Sequence, residues 1–397
     1  MTQQSAARHR AAASRQHHVL RTFGYGVLTL TVAMTLFVCY TYRTLNANLN
    51  VVDLNGLLTN RPAKVNTGPK GPLNILVMGS DSRDGKGNNI DGLTNDGQRS
   101  DTTIIVHLSA DRKHAYGVSL PRDAMVQRPD CKKRNGDTIP GGFAMFNAAF
   151  SYGGPTCTVQ QVEQLTGIRI DDFVVVDFSG FKDMVDAVHG VRICVPEDVD
   201  DTVGNIHLKA GTRTVKGREA LDYVRVRHGI SANGDIGRMK RQQVFIASMI
   251  NKVMSAGTLA NPVRLINFLK AATKSLTVDK GLGNLKKIAD LGLQFKGISL
   301  DDIKFITVPF TSYEPDPNRL VWTSDADKLW RKIRNDQPLS KKLSSDAVSA
   351  GDEGSKSDKG GKGKPSSSSS PSSSPGADST ADDATHEEIA RENGLCA

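Results

Sequence analysis

The chain has 397 residues, with 51 Lys and Arg against 42 Asp and Glu, a formal charge of +9 and five cysteines. An apolar content of 38% is enough to build a sizeable core, which excludes a wholly disordered polymer. No CxxC or Cys/His spacing points to zinc, and the absence of a GxxxxGK[ST] loop gives no indication of a P-loop nucleotide fold.

Residues 1–22 hold Arg8, Arg10, Arg15 and Arg21 and no acidic residue. From Phe23 to Tyr42 the chain is uncharged, long enough to cross the ~30 Å hydrocarbon layer as one helix. Arg43 is then the only Lys or Arg before Arg61. This bias predicts a single-pass membrane protein with residues 1–22 in the cytoplasm and residues 43–397 outside the cell. A cleavable signal peptide is the alternative. The run ends in Phe37-Val38-Cys39-Tyr40-Thr41-Tyr42, a poor cleavage site and a good aromatic interface anchor, so an uncleaved anchor is expected. Outside the membrane, a positive charge suits anionic lipid head groups or wall polymers rather than nucleic acid.

Residues 43–70 read as a polar, Asn-rich stem. From Leu73 the pattern becomes globular. Leu73–Met78, Thr102–Leu108, His114–Leu120, Phe173–Phe178 and Val191–Val195 read as strands, with a further one at Ile303–Val308. Helical patterns fall between them. One opens on the capping-box start Thr158-Val159-Gln160-Gln161 and stops at Gly167. Another is capped by Ser179 and ends at Gly190. A third runs from about Ile236 to Met254. Near-continuous apolar strands alternating with helices predict an α/β fold, a three-layer α/β/α sandwich over residues 71–335. Residues 336–397, with the Ser366–Ser370 run and few large apolar side chains, predict a disordered Ser/Pro-rich tail. Cys131 and Cys157 flank Gly/Pro-rich loops and are the favoured disulfide pair, with Cys194 expected as a buried free thiol.

The chemistry-bearing residues fall in three clusters. Asp81 and Arg83 follow the first strand, and Arg99 and Asp101 open the second. Two carboxylates at one sheet edge suit Mg²⁺, or Mn²⁺, although an aspartate in such a loop is more often a turn or helix cap. Arg122 and Asp123 follow the third strand. The third cluster is Tyr223-Val224-Arg225-Val226-Arg227-His228, where an extended backbone would point Arg225 and Arg227 to one face, followed by Asp235, Arg238, Arg241 and Gln242 on a helix. Asp235 is a plausible N-cap. Together these are the ingredients of a pyrophosphate site: guanidiniums for phosphate oxygens and carboxylates for a divalent cation.

Six segments in this order, Asn74–Arg83, Arg99–Thr102, Ser119–Asp123, Asn147–Phe150, Tyr223–His228 and Asp235–Gln243, resemble the LytR-CpsA-Psr (LCP) family of cell-wall enzymes, in its actinobacterial branch. The resemblance covers roughly residues 71–255. It implies a mixed central sheet and a transferase acting in cell wall biogenesis. Such an enzyme moves a glycopolymer from an undecaprenyl-pyrophosphate carrier to peptidoglycan, forming a phosphodiester and releasing polyprenyl phosphate. Asp81 and Asp101 would hold Mg²⁺. Arg83, Arg122, Arg225, Arg227 and Arg238, with Arg99, Arg241 and Gln242 beside them, would bind the diphosphate, and Asp235 or a metal-bound carboxylate would take the acceptor proton. Phe143, Met145, Phe146 and Phe150 are candidates for an apolar slot for the lipid. The competing reading is a non-catalytic, membrane-anchored binder of anionic wall polymer or polyprenyl-phosphate lipid.

Overall fold

The structure, a computed structural model, describes residues 3–65, 71–82, 88, 98–133, 135–231, 233–254, 261–351 and 388–396. The chain divides into two compact units, Met1–Asn48 and Leu49–Ala397. The first contains helix α1 (Gln3–Ala47), of which Phe23–Ala47 is long and apolar enough to cross a membrane. Three threonine hydroxyls of the apolar stretch are satisfied within the helix: Thr31 donates to the Val27 carbonyl, Thr35 to Thr31 and Thr41 to Phe37, each at 2.8 Å. That removes most of the cost of placing a hydroxyl in hydrocarbon.

The second unit begins with β1 (Asn50–Val52), β2 (Leu73–Ser80), β3 (Ser100–Leu108) and β4 (Ala115–Leu120). A hairpin follows, β5 (Met125–Arg128) with β8 (Gly142–Met145), enclosing the short pair β6 (Cys131–Lys132) and β7 (Thr138–Ile139). Helix α2 (Ala148–Thr166), β9 (Asp172–Val176) and α3 (Phe178–Ala187) come next, then a second nested pair of hairpins, β10 (Val191–Val195) with β13 (Gly211–Val215) around β11 (Val199–Asp201) and β12 (Ile206–Leu208). After α4 (Gly217–Arg225), α5 (Asp235–Met254) and α6 (Pro262–Ser275) the chain makes β14 (Leu276–Asp279), α7 (Leu285–Gln294), β15 (Ile303–Thr307), the hairpin β16 (Phe310–Tyr313) and β17 (Asp316–Trp322), α8 (Ser324–Arg334) and β18 (Val348–Ser349).

Among the described residues, eight strands form one mixed sheet in the order β1-β14-β9-β2-β3-β4-β15-β18. β9 runs parallel to β2 and β15 parallel to β4, while β2, β3 and β4 form an antiparallel meander. One face buries Leu76, Met78, Ile105, Val118 and Phe173 against Val159 and Val162 of α2 and Leu329 and Trp330 of α8. The opposite face meets α5 through Ala247, packed with Phe305 of β15 and Ala115 of β4. The Phe305 ring lies so close over Gly117 that a Cβ there would stand 2.4 Å from it, so the sheet needs glycine at that point. A third cluster joins α3, α4 and the β10–β13 hairpin beneath Phe245 of α5. This is the expected three-layer α/β/α sandwich with a mixed central sheet.

Several local expectations change. Val191–Val195 is a strand, but in the peripheral hairpin rather than the main sheet. Phe178 opens α3 instead of ending a strand, and Asp177 caps that helix, two residues before the expected Ser179, by accepting from Gly180 N–H at 2.7 Å. Helix α2 begins at Ala148, ten residues before Thr158, with a kink at Gly153 and Gly154; Gly167 ends it in the left-handed region as expected.

Residues 49–65 are not a free stem. β1 adds a strand to the sheet edge, Leu54 and Leu58 pack on the core, and Arg61 forms an ion pair with the buried Glu163 at 2.6 Å. A three-residue strand is too short to register as an alternating pattern. The tail boundary also moves. Asp336 accepts from Ala110 N–H at 3.0 Å and Leu339, Leu343 and Ala347 pack on the core, so the folded region continues to residue 351. The Ser366–Ser370 run lies outside the described residues. Residues 388–396 are held by a Cys194–Cys396 disulfide, so Cys194 is not a free thiol. A partner 202 residues away leaves no local trace. The Cys131–Cys157 bridge is present as expected.

Candidate active site

The site forms where β2, β3 and β4 end on one edge of the sheet. The β2–β3 pairing runs Gly79 opposite Thr102 and then Ser80 opposite Ser100, which leaves Asp101 as the extra residue of a bulge. A bulge redirects a side chain that regular pleating would send to one face or the other. Asp81 stands next along β2, and the two strands close on each other there: Asp81 N–H donates to the Arg99 carbonyl at 3.0 Å, and Arg99 N–H to the Asp81 carboxylate at 2.6 Å. Pro121 ends β4, having no N–H for the ladder, and the turn carrying Arg122 and Asp123 is pinned by Asn147 N–H on the Arg122 carbonyl at 3.1 Å.

Helix α5 delivers the remaining groups. Its buried Gln243 donates to Ser119 of β4 and Thr307 of β15, both at 2.9 Å, and Gln242 accepts from Thr102 at 3.0 Å while donating to the Val224 carbonyl. Three of these bonds clamp the helix over the sheet edge and the fourth ties it to α4, with Asp235, its first residue, and Arg238 above Asp101. Arg227 is positioned by Asp201, whose carboxylate accepts from the backbone N–H of Arg227 at 3.4 Å and of His228 at 3.3 Å.

Arg122 is the node. Its Nη1 donates to Asp101 at 2.5 Å and its Nε to Asp235 at 2.7 Å and Asp123 at 3.2 Å. Arg227 reaches Asp101 at 3.3 Å and Asp235 at 3.5 Å. Arg238 reaches Asp235 at 2.9 Å and Asp101 at 3.9 Å. Three guanidiniums and three carboxylates therefore interlock, Arg319 adds a fourth guanidinium 3.6 Å from Asp123, and the edge is an ionic lattice rather than a bare basic patch.

The electrostatics separate the carboxylates. Burial alone would raise the Asp101 pKa, but Arg238, Arg122 and Arg227 outweigh it and hold the group below its ordinary range. Asp235 is likewise lowered, burial being overcome by Arg238, Arg122 and Arg227. Asp123 moves the other way: burial and the neighbouring Asp235 raise it against the pull of Arg122. For Arg122, burial is overcome by Asp101, Asp235 and Asp123, which keep it firmly protonated. Arg238, nearly fully buried, is lowered by burial to about 10 and stays charged at neutral pH.

Of the residues expected here, Asp101, Arg122, Arg227, Asp235 and Arg238 meet in the lattice, and Asp81, Arg99 and Gln242 border it. Arg83 lies outside the described residues. Arg225 ends α4 rather than lying in an extended segment, so it does not share a face with Arg227; its guanidinium sits over the Phe178 ring, 4.9 Å from the centroid. Arg241 is turned away: it is fully buried and donates to the Val226 carbonyl at 2.6 Å, the Asn393 carbonyl at 2.9 Å and Ser231. Asp235 is a helical first-turn residue whose carboxylate serves the arginines. Phe146 and Phe150 are buried in the core and form no slot. Half-exposed Val77, Val106, Val174 and Val176 instead leave an apolar strip on the α5 side of the sheet. The sequence assigns no role in the site to Asp123 or Asp201. Asp123 is signalled only by its place beside Arg122.

Fold and site together define a class: a mixed-sheet α/β domain with an arginine–aspartate lattice at the sheet edge, in a chain that carries an N-terminal apolar helix. The chain belongs to the LytR_cpsA_psr family, whose model matches residues 41–335. It is 30% identical over 286 residues to the cell wall biosynthesis protein LcpA of Corynebacterium glutamicum, covering 65% of this chain and 54% of that protein. It is 35% identical over 240 residues to the polyisoprenyl-teichoic acid–peptidoglycan teichoic acid transferase TagV of Bacillus subtilis, covering 59% and 57%. The chain thus spans little more than half the length of these relatives. A LytR-Csp2A-Psr enzyme from Actinomyces oris shares the fold, with a TM-score of 0.55 and 20% identity over 72% of this chain and 95% of that one.

Proposed function

We propose that the chain is a phosphotransferase that moves a glycopolymer from a polyprenyl-pyrophosphate carrier to peptidoglycan on the outer side of the membrane. The observation that carries this is Arg122, held between Asp101 and Asp235 with Arg227 and Arg238 alongside, in a chain similar to a named teichoic acid transferase. The carboxylates act as place-holders. They keep three guanidiniums oriented, and a diphosphate entering the site takes over those donors with its own oxygens.

In the reaction the acceptor sugar's hydroxyl oxygen attacks the phosphorus that bears the glycopolymer. The new P–O bond completes a phosphodiester, the P–O bond to the bridging oxygen breaks, and polyprenyl phosphate leaves with that oxygen. Arg122, Arg227 and Arg238 neutralise the charge developing on the leaving phosphate. The hydroxyl proton passes to the adjoining Asp123–Asp235 carboxyl pair, in which burial and Asp235 raise Asp123 while Arg238 and Arg122 lower Asp235. The lipid chain lies along the strip of Val77, Val106, Val174 and Val176.

Mg²⁺ belongs to the same reading. Asp81 and Asp101, neighbours at the β2–β3 bulge, offer the oxygen donors a hard cation prefers, and the second Asp101 oxygen makes long contacts, to Arg227 at 3.3 Å and Arg238 at 3.9 Å. Among the described residues no group of three or more His, Cys or acidic side chains makes a complete cage, which fits an ion that keeps waters and substrate phosphates in its shell. When bound, it would supply further charge neutralisation at the diphosphate. The test is the full-length protein in detergent with Mg²⁺ and a lipid-pyrophosphate-linked saccharide. Polyprenyl phosphate should appear only when a glycan acceptor is present; intact lipid after incubation refutes transfer and leaves a binder.

A further inference from the structure

Beside the arginine lattice lies an aromatic face that the chemistry above does not use. Phe143 of β8 is 54% exposed, and its ring centroid stands 5.9 Å from that of the half-exposed Tyr313 at the end of β16. The rings come from two different hairpins, and both hairpins are tied to the site. β8 pairs with β5, which continues directly from Asp123 and Ala124. Leu320 N–H of β17 donates to the Asp123 carbonyl at 3.3 Å, and Arg319 of β17 lies 3.6 Å from the Asp123 carboxylate and 3.6 Å from Asp316. Asp316 is in turn the cross-strand partner of Tyr313. A continuous line therefore runs from the two rings through Asp316 and Arg319 to Asp123. Exposed Gln127, opposite Phe143 in the β5–β8 register, adds an amide on the same face.

Ring faces bordered by a carboxylate, a guanidinium and an amide match a pyranose. Its C–H face carries partial positive charge and rests on the negative face of an aromatic ring, while its hydroxyls bond the charged edge. A lipid tail would have no use for that edge, and the half-exposed valines on the α5 side of the sheet offer it an apolar strip elsewhere. We infer that Phe143 and Tyr313 form the acceptor subsite, a platform on which one sugar ring of the acceptor glycan stacks while the glycan runs on along Asp316 and Arg319 toward Asp123. This rests on the transferase reading, since it names the groups that seat that reaction's acceptor.

The probe is a soluble tetrasaccharide of alternating N-acetylglucosamine and N-acetylmuramic acid, added to the full-length protein in detergent. Its binding is measured by calorimetry without donor, and its acceptor KM by polyprenyl phosphate release. Phe143→Ala and Tyr313→Ala should each weaken binding and raise the acceptor KM by roughly tenfold. Phe143→Trp, which keeps a ring, should restore most of both. Equal melting temperatures across the set would exclude misfolding. Failure of the wild type to bind the saccharide, or an acceptor KM unchanged in both alanine variants, overturns the subsite. Binding that the alanine variants lose, with no transfer by any protein, upholds the subsite and removes the transferase reading.

Discussion

Arg122 Nε donates to Asp235 at 2.7 Å across 113 residues of sequence. The bond joins the turn after β4 to the first turn of α5 and fixes the distance between sheet edge and helix. Replacing Arg122 by Ala leaves Asp101 and Asp235, both mostly buried, with Arg227 and Arg238 but without the fork that bridges them, a destabilisation on the order of 3 kcal/mol. Arg122→Lys keeps the charge and loses the planar fork that reaches both carboxylates. The Lys variant should melt near the wild type yet transfer at least about a hundredfold more slowly. A Lys variant with wild-type turnover would show that charge alone suffices and that the fork has no role.

The two carboxylates beside Arg122 should separate in their pH dependence. Asp123 is raised by burial and by Asp235, so its base form accumulates as the pH climbs through that raised value, and turnover should rise with it. Asp123→Asn should lower kcat by about 10²-fold or more and remove that limb of the profile. Asp235→Asn should keep the limb, moved to lower pH because the charge that raises Asp123 is gone, and mainly raise the donor KM, because it loosens Arg122 and Arg238. If the limb disappears in Asp235→Asn and survives in Asp123→Asn, the base is Asp235.

The central sheet was legible because its strands are buried on both faces and read as apolar runs, and α5 because its apolar stripe is long. The lattice was legible in part. Asp101, Arg122, Arg227, Asp235 and Arg238 each stand where a strand or helix meets the sheet edge, and element ends can be placed from sequence. Arg241 has the right helical spacing from Arg238, but one further turn aims it at the C-terminal segment, and spacing carries no information on that segment's position. Arg225 was misplaced because α4 continues through it, so the two-residue period of extended chain does not apply. The raised pKa of Asp123 depends on Asp235, far along the chain, and no local pattern encodes it.

The Cys194–Cys396 bridge should matter for the site as well as for stability. It ties residues 388–396 to β10, and Asn393 accepts from Arg241, which also holds the Val226 carbonyl beside Arg227. Cys396→Ser should destabilise the protein by about 2–5 kcal/mol. It should also raise the donor KM, because the segment carrying Arg227 loses part of its support. Thermal melts and donor titrations with and without reductant test both effects; a variant with the wild-type melting point and KM would show the tether to be idle.

A second carboxyl pair lies on the sheet margin at the N-terminal start of β9, and it makes stability depend on pH in the direction opposite to the lattice. Burial, together with Asp279 and Asp171, pushes Asp172 up from 3.8 to about 7. The folded protein thus binds a proton that the unfolded chain releases near pH 4. The stability linked to that proton is complete below about 3.8 and is lost as the pH rises through about 7. Asp172→Asn removes the ionisable group while keeping a hydrogen-bonding side chain against Asp279. Its melting temperature should exceed the wild type's at pH 8, and the advantage should vanish near pH 4, where Asp172 is already protonated. An advantage of equal size at both pH values would show that the substitution acts through packing and that the two carboxyls do not share a proton.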